Sequence, residues 1–424
     1  MERVAFTSIQ TPVTLLAGIA LLIALSACSS GDDSRESVEV IPAPTSADVS
    51  PTAISVDASP TPVSVEADAI GTMHYSRVDH SATLLRDGRV LVAGGMDNAF
   101  TPLRTAELFN PETNRWEEAA EMRESRTEHS ATLLRDGRVM VTGGLNEKLE
   151  IVGTTEIFDP DTGKWSQHEG MRTVRRGHFT LPLNDGRVLV VGGVGQTLGG
   201  LGILANISAV GALLSTEIYD PQTDLWSRAS DMREGHSGGL AVVLKDGRVL
   251  VAGGYNQAES LASSEVFDPK VDEWIRTASM ARKTFANTAT VLSDGSVLFT
   301  GGFGMSRSKG GITPGSEVFD PQTNEWRKAP DTVHGRMRHT ITLLPDGRVV
   351  TIGGSTASGP ADTAEYMDPE TWAWSEISPM SVERSGHTAT LLQDGRILVA
   401  GGALENVVEV YDVDTDEWTS SDPQ

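Results

Sequence analysis

The 424-residue sequence predicts an all-β fold in which seven small antiparallel sheets close into a ring. Three observations carry that prediction. One unit recurs seven times, tracked by Trp116, Trp165, Trp226, Trp274, Trp326, Trp374 and Trp418, which follow one another after 49, 61, 48, 52, 48 and 44 residues; a repeat length of roughly 50 belongs to arrays of small β units. Each unit places an Asp-Gly turn between two apolar runs, a hairpin signature. The composition, 43 glycines with only 5% aromatic residues, suits a turn-rich β protein that needs backbone freedom at many corners.

The units align residue by residue. The first reads HSATLLRDGRVLVAGG from His80 to Gly95 and the last HTATLLQDGRILVAGG from His387 to Gly402. In unit 1 the runs Ala82–Leu85 and Val90–Ala93 flank Asp87-Gly88 and form strands A and B. Strand C, Ala106–Phe109, leads into Asn110-Pro111-Glu112-Thr113, where proline removes a ladder donor and favours a turn, and Trp116 opens strand D. Four short strands cannot bury both faces of a sheet alone, but sheets stacked around an axis can, which accounts for the unbroken apolar run Val90–Ala93. Separate β-sandwich domains require linkers between units, and no segment of that composition occurs after residue 73.

The combined pattern in unit 1 is Arg77-x-x-His80, the Asp-Gly hairpin, Gly94-Gly95, Glu107-x-Phe109-Asn110-Pro111 and Trp116. It resembles the kelch repeat. The resemblance extends over 73–424 and implies a seven-bladed β-propeller with four antiparallel strands per blade. Phe109, Phe158, Phe267 and Phe319 stand where many kelch units have Tyr, a change that keeps an aromatic core residue.

The N-terminus is a different object. Val4–Ser30 carries no charge, its Leu- and Ala-rich part is short, and it ends in Leu25-Ser26-Ala27-Cys28, which resembles a bacterial lipoprotein signal (1–27) with lipidation at Cys28. Cys28 is the one cysteine of the chain, so intramolecular disulfides are excluded and an acyl anchor is its economical role. Residues 28–72, rich in Ser, Pro, Ala and Thr, read as a disordered tether, with Val65–Met73 a candidate closing strand. The expected location is the bacterial cell envelope, outside the cytoplasm, with the membrane reached through the lipid.

A formal charge of −24 argues against nucleic acid as a partner, since such binding relies on clustered Lys and Arg. A local basic ring is nevertheless suggested. Ten residues before each Asp-Gly turn the units hold Arg77, Arg126, Arg175, His236, Thr284, Arg336 and Arg384; three residues later come His80, His129, His178, Gly239, Asn287, His339 and His387. If strand A is innermost, these positions crowd the mouth of the central channel on the side of the B-to-C links. Some kelch propellers bind acidic peptides through arginines at this repeat position, which implies a mouth site of Arg77, Arg126, Arg175, Arg336 and Arg384 only; His236 and Asn287 are candidates at the same mouth because the repeat breaks there. The expected partner is a protein or an acidic peptide or glycan. The competing reading is structural: Glu107, Glu156, Glu217, Glu265, Glu317, Glu365 and Glu409 recur in strand C and can pair with the arginines in every blade.

Units 3 to 5 depart most from the repeat. The B-to-C link Val194–Ser215 is long and apolar, with Leu198, Leu201, Ile203, Leu204, Ile207, Val210, Leu213 and Leu214, and Phe303–Gly315 is a smaller extension. Packing on neighbouring blades with partial lid character, a protein-docking patch and a membrane contact are its alternatives. Chemistry is hard to find. The propeller region lacks the cysteine that a galactose-oxidase-type copper radical site requires, no compact zinc motif, Gly-x-Ser-x-Gly elbow or phosphate loop occurs, and Asp412-Val413-Asp414-Thr415-Asp416 is a turn of the repeat before it is a calcium loop. No cofactor or metal is expected. The sequence favours a binding or scaffolding module, with a sugar isomerase, mutarotase or lyase at the same mouth as the enzymatic alternative.

Overall fold

The computed structural model describes residues 70–196, 210–256, 259–305 and 310–421. The expected signal 1–27, Cys28, most of the tether, and Leu198, Leu201, Ile203, Leu204 and Ile207 lie outside the described residues.

Blade 1 shows how each repeat is made. Strands β1 (Ser81–Leu84), β2 (Val90–Ala93), β3 (Ala106–Asn110) and β4 (Arg115–Glu118) form one antiparallel sheet in chain order. Its register is fixed by Leu84 opposite Val90, Val90 opposite Phe109 and Asn110 opposite Arg115. The β1–β2 connection is a five-residue loop, Leu85–Arg89, rather than a two-residue hairpin. Gly88 N–H bonds to Leu85 O at 3.1 Å, Leu85 N–H bonds to Arg89 O at 2.8 Å, and only Gly88 has a positive φ, at 89°. Asp87 Oδ1 accepts the Arg89 N–H, so the aspartate holds the turn through its side chain.

The first strands of the seven blades are Ser81–Leu84, Ser130–Leu133, Phe179–Pro182, Leu240–Val243, Thr288–Val291, Thr340–Leu343 and Thr388–Leu391. Each touches the first strand of both neighbouring blades, and the last touches the first, so they line the axis of a closed ring. The second strands are buried throughout. Seven apolar cores fill the seven gaps between blades; the gap between blades 1 and 2, for example, takes Leu91 and Leu108 from one side and Val139, Val141 and Phe158 from the other. This is why the second strand has no polar alternation: both of its faces meet a neighbouring sheet.

Among the described residues every blade is a continuous stretch of chain, and no strand is exchanged to close the ring. Closure comes from packing and backbone bonds. Gly402 N–H bonds to Arg77 O at 2.9 Å, and Ile70 and Met73 enter the apolar core shared by Val408, Val410 and Trp116. Of the candidate closing strand Val65–Met73 only residues 70–73 are described, and they seal the seam between blades 7 and 1 by packing, outside the sheet ladders. In six of the seven blades the Trp that marks the repeat packs on the aromatic residue opposite it, with Phe109–Trp116 ring centroids 5.2 Å apart and Tyr411–Trp418 4.8 Å apart; in blade 6 Trp374 faces Met367 instead. Several also donate the indole N–H to the preceding blade, as Trp226 does to Glu169 O at 2.7 Å.

Blades 3, 4, 5 and 6 carry an extra two-stranded ribbon in the link between their second and third strands: Val194–Gln196 with Val210–Ala212, Tyr255–Asn256 with Glu259–Ser260, Phe303–Met305 with Gly310–Ile312, and Ser355–Thr356 with Gly359–Pro360. The ribbons of blades 3, 4 and 5 touch in succession and form a wall on one side of the mouth. A cleft of about 470 Å³ opens between the ribbons of blades 5 and 6, lined in part by Pro314, His334, Thr356 and Asp362.

Candidate functional site at the axial mouth

The five repeated arginines are placed where their spacing predicts, at the head of the inner strand, but their side chains turn into the blade. Arg126 is representative. Its Nη1 donates to Gly143 O at 2.9 Å and Thr154 O at 3.2 Å, and its Nη2 donates to Glu156 Oε1 at 2.8 Å, so one guanidinium staples the end of the second strand to the start of the third. Glu156 also accepts the backbone N–H groups of Arg123 and Glu124. Arg77, Arg175, Arg336 and Arg384 repeat the arrangement with Glu107, Glu217, Glu365 and Glu409 at 2.5–3.0 Å. All five arginine side chains have no exposed surface. The expectation that they clamp an acidic ligand at the mouth is corrected accordingly: a guanidinium committed to a buried carboxylate and two carbonyls presents nothing to solvent.

The other two expected site residues are also occupied internally. His236 is fully buried and its Nδ1 lies 2.7 Å from Gly253 O, while Asn287 donates to Thr284 O and Oγ1. Four of the five repeated histidines join neighbouring blades, as in His80 Nε2 to Thr388 Oγ1 and His129 Nε2 to Ser81 Oγ, each 2.9 Å. Burial, reinforced by the charge of the adjacent arginine, pushes His129 and His387 down to about 3 and holds His80, His178 and His339 well below the usual imidazole value.

The Gly-Gly pair is explained by the same packing. Gly94 has φ 63°, and a Cβ there would lie 2.6 Å from Arg126 O and from the His129 ring of the next blade.

What the mouth does expose is a ring one residue before each histidine position: Asp79, Glu128, Gly177, Gly238, Ala286, Arg338 and Gly386. All seven have positive φ, between 52° and 70°. Backbone bonds link them around the axis, from Ala286 N–H to Gly238 O, Arg338 N–H to Ala286 O, Gly386 N–H to Arg338 O and Asp79 N–H to Gly386 O, with Gly177 N–H to Glu128 O on the other arc. Three positions are glycine, for which this conformation is free of strain. A non-glycine residue there costs about 1–2 kcal/mol. The charges nevertheless sit there: Arg338 Nη2 reaches over Gly386 to Asp79 Oδ1 at 2.5 Å, and Arg176, next to the ring, bonds Glu128 Oε2 at 2.5 Å. All four side chains are about 30% exposed. The nearby Asp79 carboxylate raises the Arg338 guanidinium further, so it is charged at every accessible pH.

With this geometry in view, a family model for the Kelch motif matches residues 79–123, 128–171, 237–281 and 344–381. The chain is a kelch-repeat β-propeller. Among solved structures this kelch propeller is similar to a novel fungal alcohol oxidase of the AA5 family in complex with copper, at 21% identity over 80% of this chain and 73% of that one, with a TM-score of 0.63. It is also similar to YjhT, at 16% identity over 73% of this chain and 99% of that one, with a TM-score of 0.57. Both likenesses show the fold alone. Comparison with curated proteins gives no match.

The fungal oxidase holds copper, whereas among the described residues of this kelch propeller no three His, Cys, Asp or Glu side chains converge, and Cys28 precedes the blades. The donor set does not fit that metal. Asp412, in the stretch that resembles a calcium loop, instead accepts the Asp414 and Thr415 N–H groups within its own turn.

Asp79, Glu128, Arg176 and Arg338 occupy slots that vary from blade to blade, so the repeat does not mark them. The available signal is the contrast itself, charged residues at positions where sister blades place Gly177, Gly238 and Gly386.

Proposed function

We propose that this kelch propeller is a binding module that takes a carboxylate-bearing ligand at the axial mouth, on Arg176 and Arg338. The observation that carries the reading is the charged, positive-φ ring. Sister blades satisfy the same backbone with glycine, so the fold does not require Asp79, Glu128 or Arg338, and strained residues that the fold does not require concentrate at functional sites. Each guanidinium has five N–H donors and spends one on its carboxylate partner, leaving donors for a ligand. An acidic glycan suits the set, because its carboxylate meets the guanidiniums while its hydroxyls donate to Asp79 and Glu128. The same reading has the propeller exported and held on the cell envelope through lipidated Cys28, with a Cys28→Ser chain released to the soluble fraction.

The test is retention on an immobilised uronic-acid oligosaccharide, with an acidic peptide as a second arm. Arg338→Gly and Arg176→Ser copy residues found at the same positions in blades 7 and 4, and relief of about 1–2 kcal/mol of left-handed strain at 338 offsets the lost ion pairs, so the fold is kept while retention on the glycan is lost. Retention unchanged in the double variant defeats the proposal. Selective retention on the peptide transfers the site to a protein ligand, and a change in the mass or anomeric state of the glycan transfers it to the enzymatic alternative.

A further inference from the structure

Away from the axis, the links between second and third strands in blades 1 and 2 are copies of one small loop. In blade 1, Asp97 Oδ1 accepts the N–H groups of Ala99 and Thr101, and Phe100 N–H bonds to Asp97 O. In blade 2, Asn146 Oδ1 accepts those of Lys148 and Glu150, and Leu149 N–H bonds to Asn146 O. The fourth residue of each loop is left-handed, with φ 61° at Phe100 and 60° at Leu149. That slot favours Gly, Asn or Asp, and a bulky apolar residue in it is an outlier. Both blades fill it with one, and the side chains stand out in water, Phe100 65% and Leu149 39% exposed. On the other side of blade 1, the blade 7 link presents Leu404, 83% exposed, whose carbonyl accepts a hydrogen bond from Asn98 Nδ2. Three consecutive blades therefore display an apolar side chain at the tip of the same link.

The setting of these tips is acidic. Glu147, Glu150 and Glu405 are exposed in these links, against two exposed cations, Lys148 and Arg104, the latter already paired with Glu121, in a chain of net charge −24. A second copy would bring like charge against like charge, so the complementary occupant is a partner of opposite sign.

We infer that the tips of blades 7, 1 and 2 are a docking surface for a protein partner presenting apolar side chains flanked by Lys or Arg. Phe100, Leu149 and Leu404 are the anchors, and the glutamates set orientation and encounter rate. The surface is separate from the axial site, and neither depends on the other.

The probe is a synthetic amphipathic Leu/Lys peptide titrated into the full-length chain by fluorescence anisotropy, with an all-Lys peptide of equal charge as control. The triple variant Phe100→Gly, Leu149→Gly, Leu404→Gly relieves the left-handed strain at the first two positions and keeps the fold. It is expected to weaken the Leu/Lys peptide about tenfold or more with no change in retention on the acidic glycan. The variant Glu147→Gln, Glu150→Gln, Glu405→Gln is expected to flatten the salt dependence. Equal binding of the all-Lys peptide, or an unchanged affinity in the triple glycine variant, reduces the effect to bulk charge and overturns the inference. Concentration-dependent self-association that disappears in the glycine variant also overturns it, by naming a second copy as the occupant.

Discussion

Five blades and two blades of this ring fix the same joint by different chemistry. In blades 1, 2, 3, 6 and 7 a buried Arg–Glu pair ties the entry to the inner strand onto the link between second and third strands. Blades 4 and 5 lack the arginine. There His236 stands 3.9 Å from Glu265, and where Thr284 replaces the arginine Glu317 accepts, among the described residues, the backbone N–H groups of Ala281 and Arg282. Desolvation accordingly raises the Glu317 carboxyl above its ordinary value. What holds this sector is an aromatic stack: Tyr255, Phe285 and Phe303 have ring centroids 6.0 and 5.6 Å apart, and backbone pairing joins Phe285 to Phe303. The joint recurs in every blade, closed by an ionic staple in five and beside an apolar stack in the other two.

The largest consequence is acid sensitivity, and it belongs to the five ionic blades, which also carry the repeated histidines His80, His129, His178, His339 and His387. His129 and His387 stay neutral in the folded ring down to about pH 3, whereas an unfolded imidazole takes up a proton near its ordinary value of 6.5. Below 6.5 the unfolded state thus binds more protons, and stability falls as the pH drops towards 3. Each such histidine removes about 1.4 kcal/mol per pH unit in that window. Urea midpoints measured between pH 7.5 and 4.5 should fall steeply. His387→Asn, which installs the blade 5 residue, should flatten part of the slope; a flat parent profile would show the histidines to be solvated.

A smaller effect tests the staple itself. Arg336→Thr copies blade 5 into blade 6 and leaves Glu365 buried with only the N–H groups of Val333 and His334. Removing one partner of a buried pair costs about 3–5 kcal/mol, read as a shift in the urea midpoint at neutral pH. Glu365 should then behave as Glu317 does, with a raised carboxyl. A raised carboxyl contributes stability below its unfolded value of 4.5 and loses it as the pH rises through the folded value, so the deficit against the parent should shrink on acidification. A deficit independent of pH would mean that the carboxylate finds another cation.

These contrasts also show what a repeat reveals in sequence. The tryptophan spacing and the Asp-Gly turns recur because every blade needs them, so blade number, strand order and ring closure are legible. The arginines are legible as positions, but spacing alone does not say whether a side chain at the head of a strand turns towards the axis or into its own blade; the recurrent strand C glutamates pointed to the second option. Asp79, Glu128, Arg176 and Arg338 lie in slots where the blades disagree, and their meeting depends on ring closure, since Asp79 and Arg338 are 259 residues apart. The stack of Tyr255, Phe285 and Phe303 is hidden for a related reason. Its rings come from a ribbon, a strand entry and a second ribbon that no other blade fills with the same residues.

That stack supplies the smallest and most discriminating test. Phe285 is 8% exposed and touches both of its aromatic neighbours. Phe285→Leu keeps an apolar side chain of similar bulk and deletes the ring contacts, so the loss should be about 1–3 kcal/mol, the worth of two aromatic pairs. The same substitution has no ionic component, so its cost should not vary with salt or between pH 5 and 8, unlike that of Arg336→Thr. If Phe285→Leu is neutral, the ribbons of blades 4 and 5 are held by their backbone pairing alone. A loss as large as that of the arginine variant would instead make the stack the keystone of the ribbon wall.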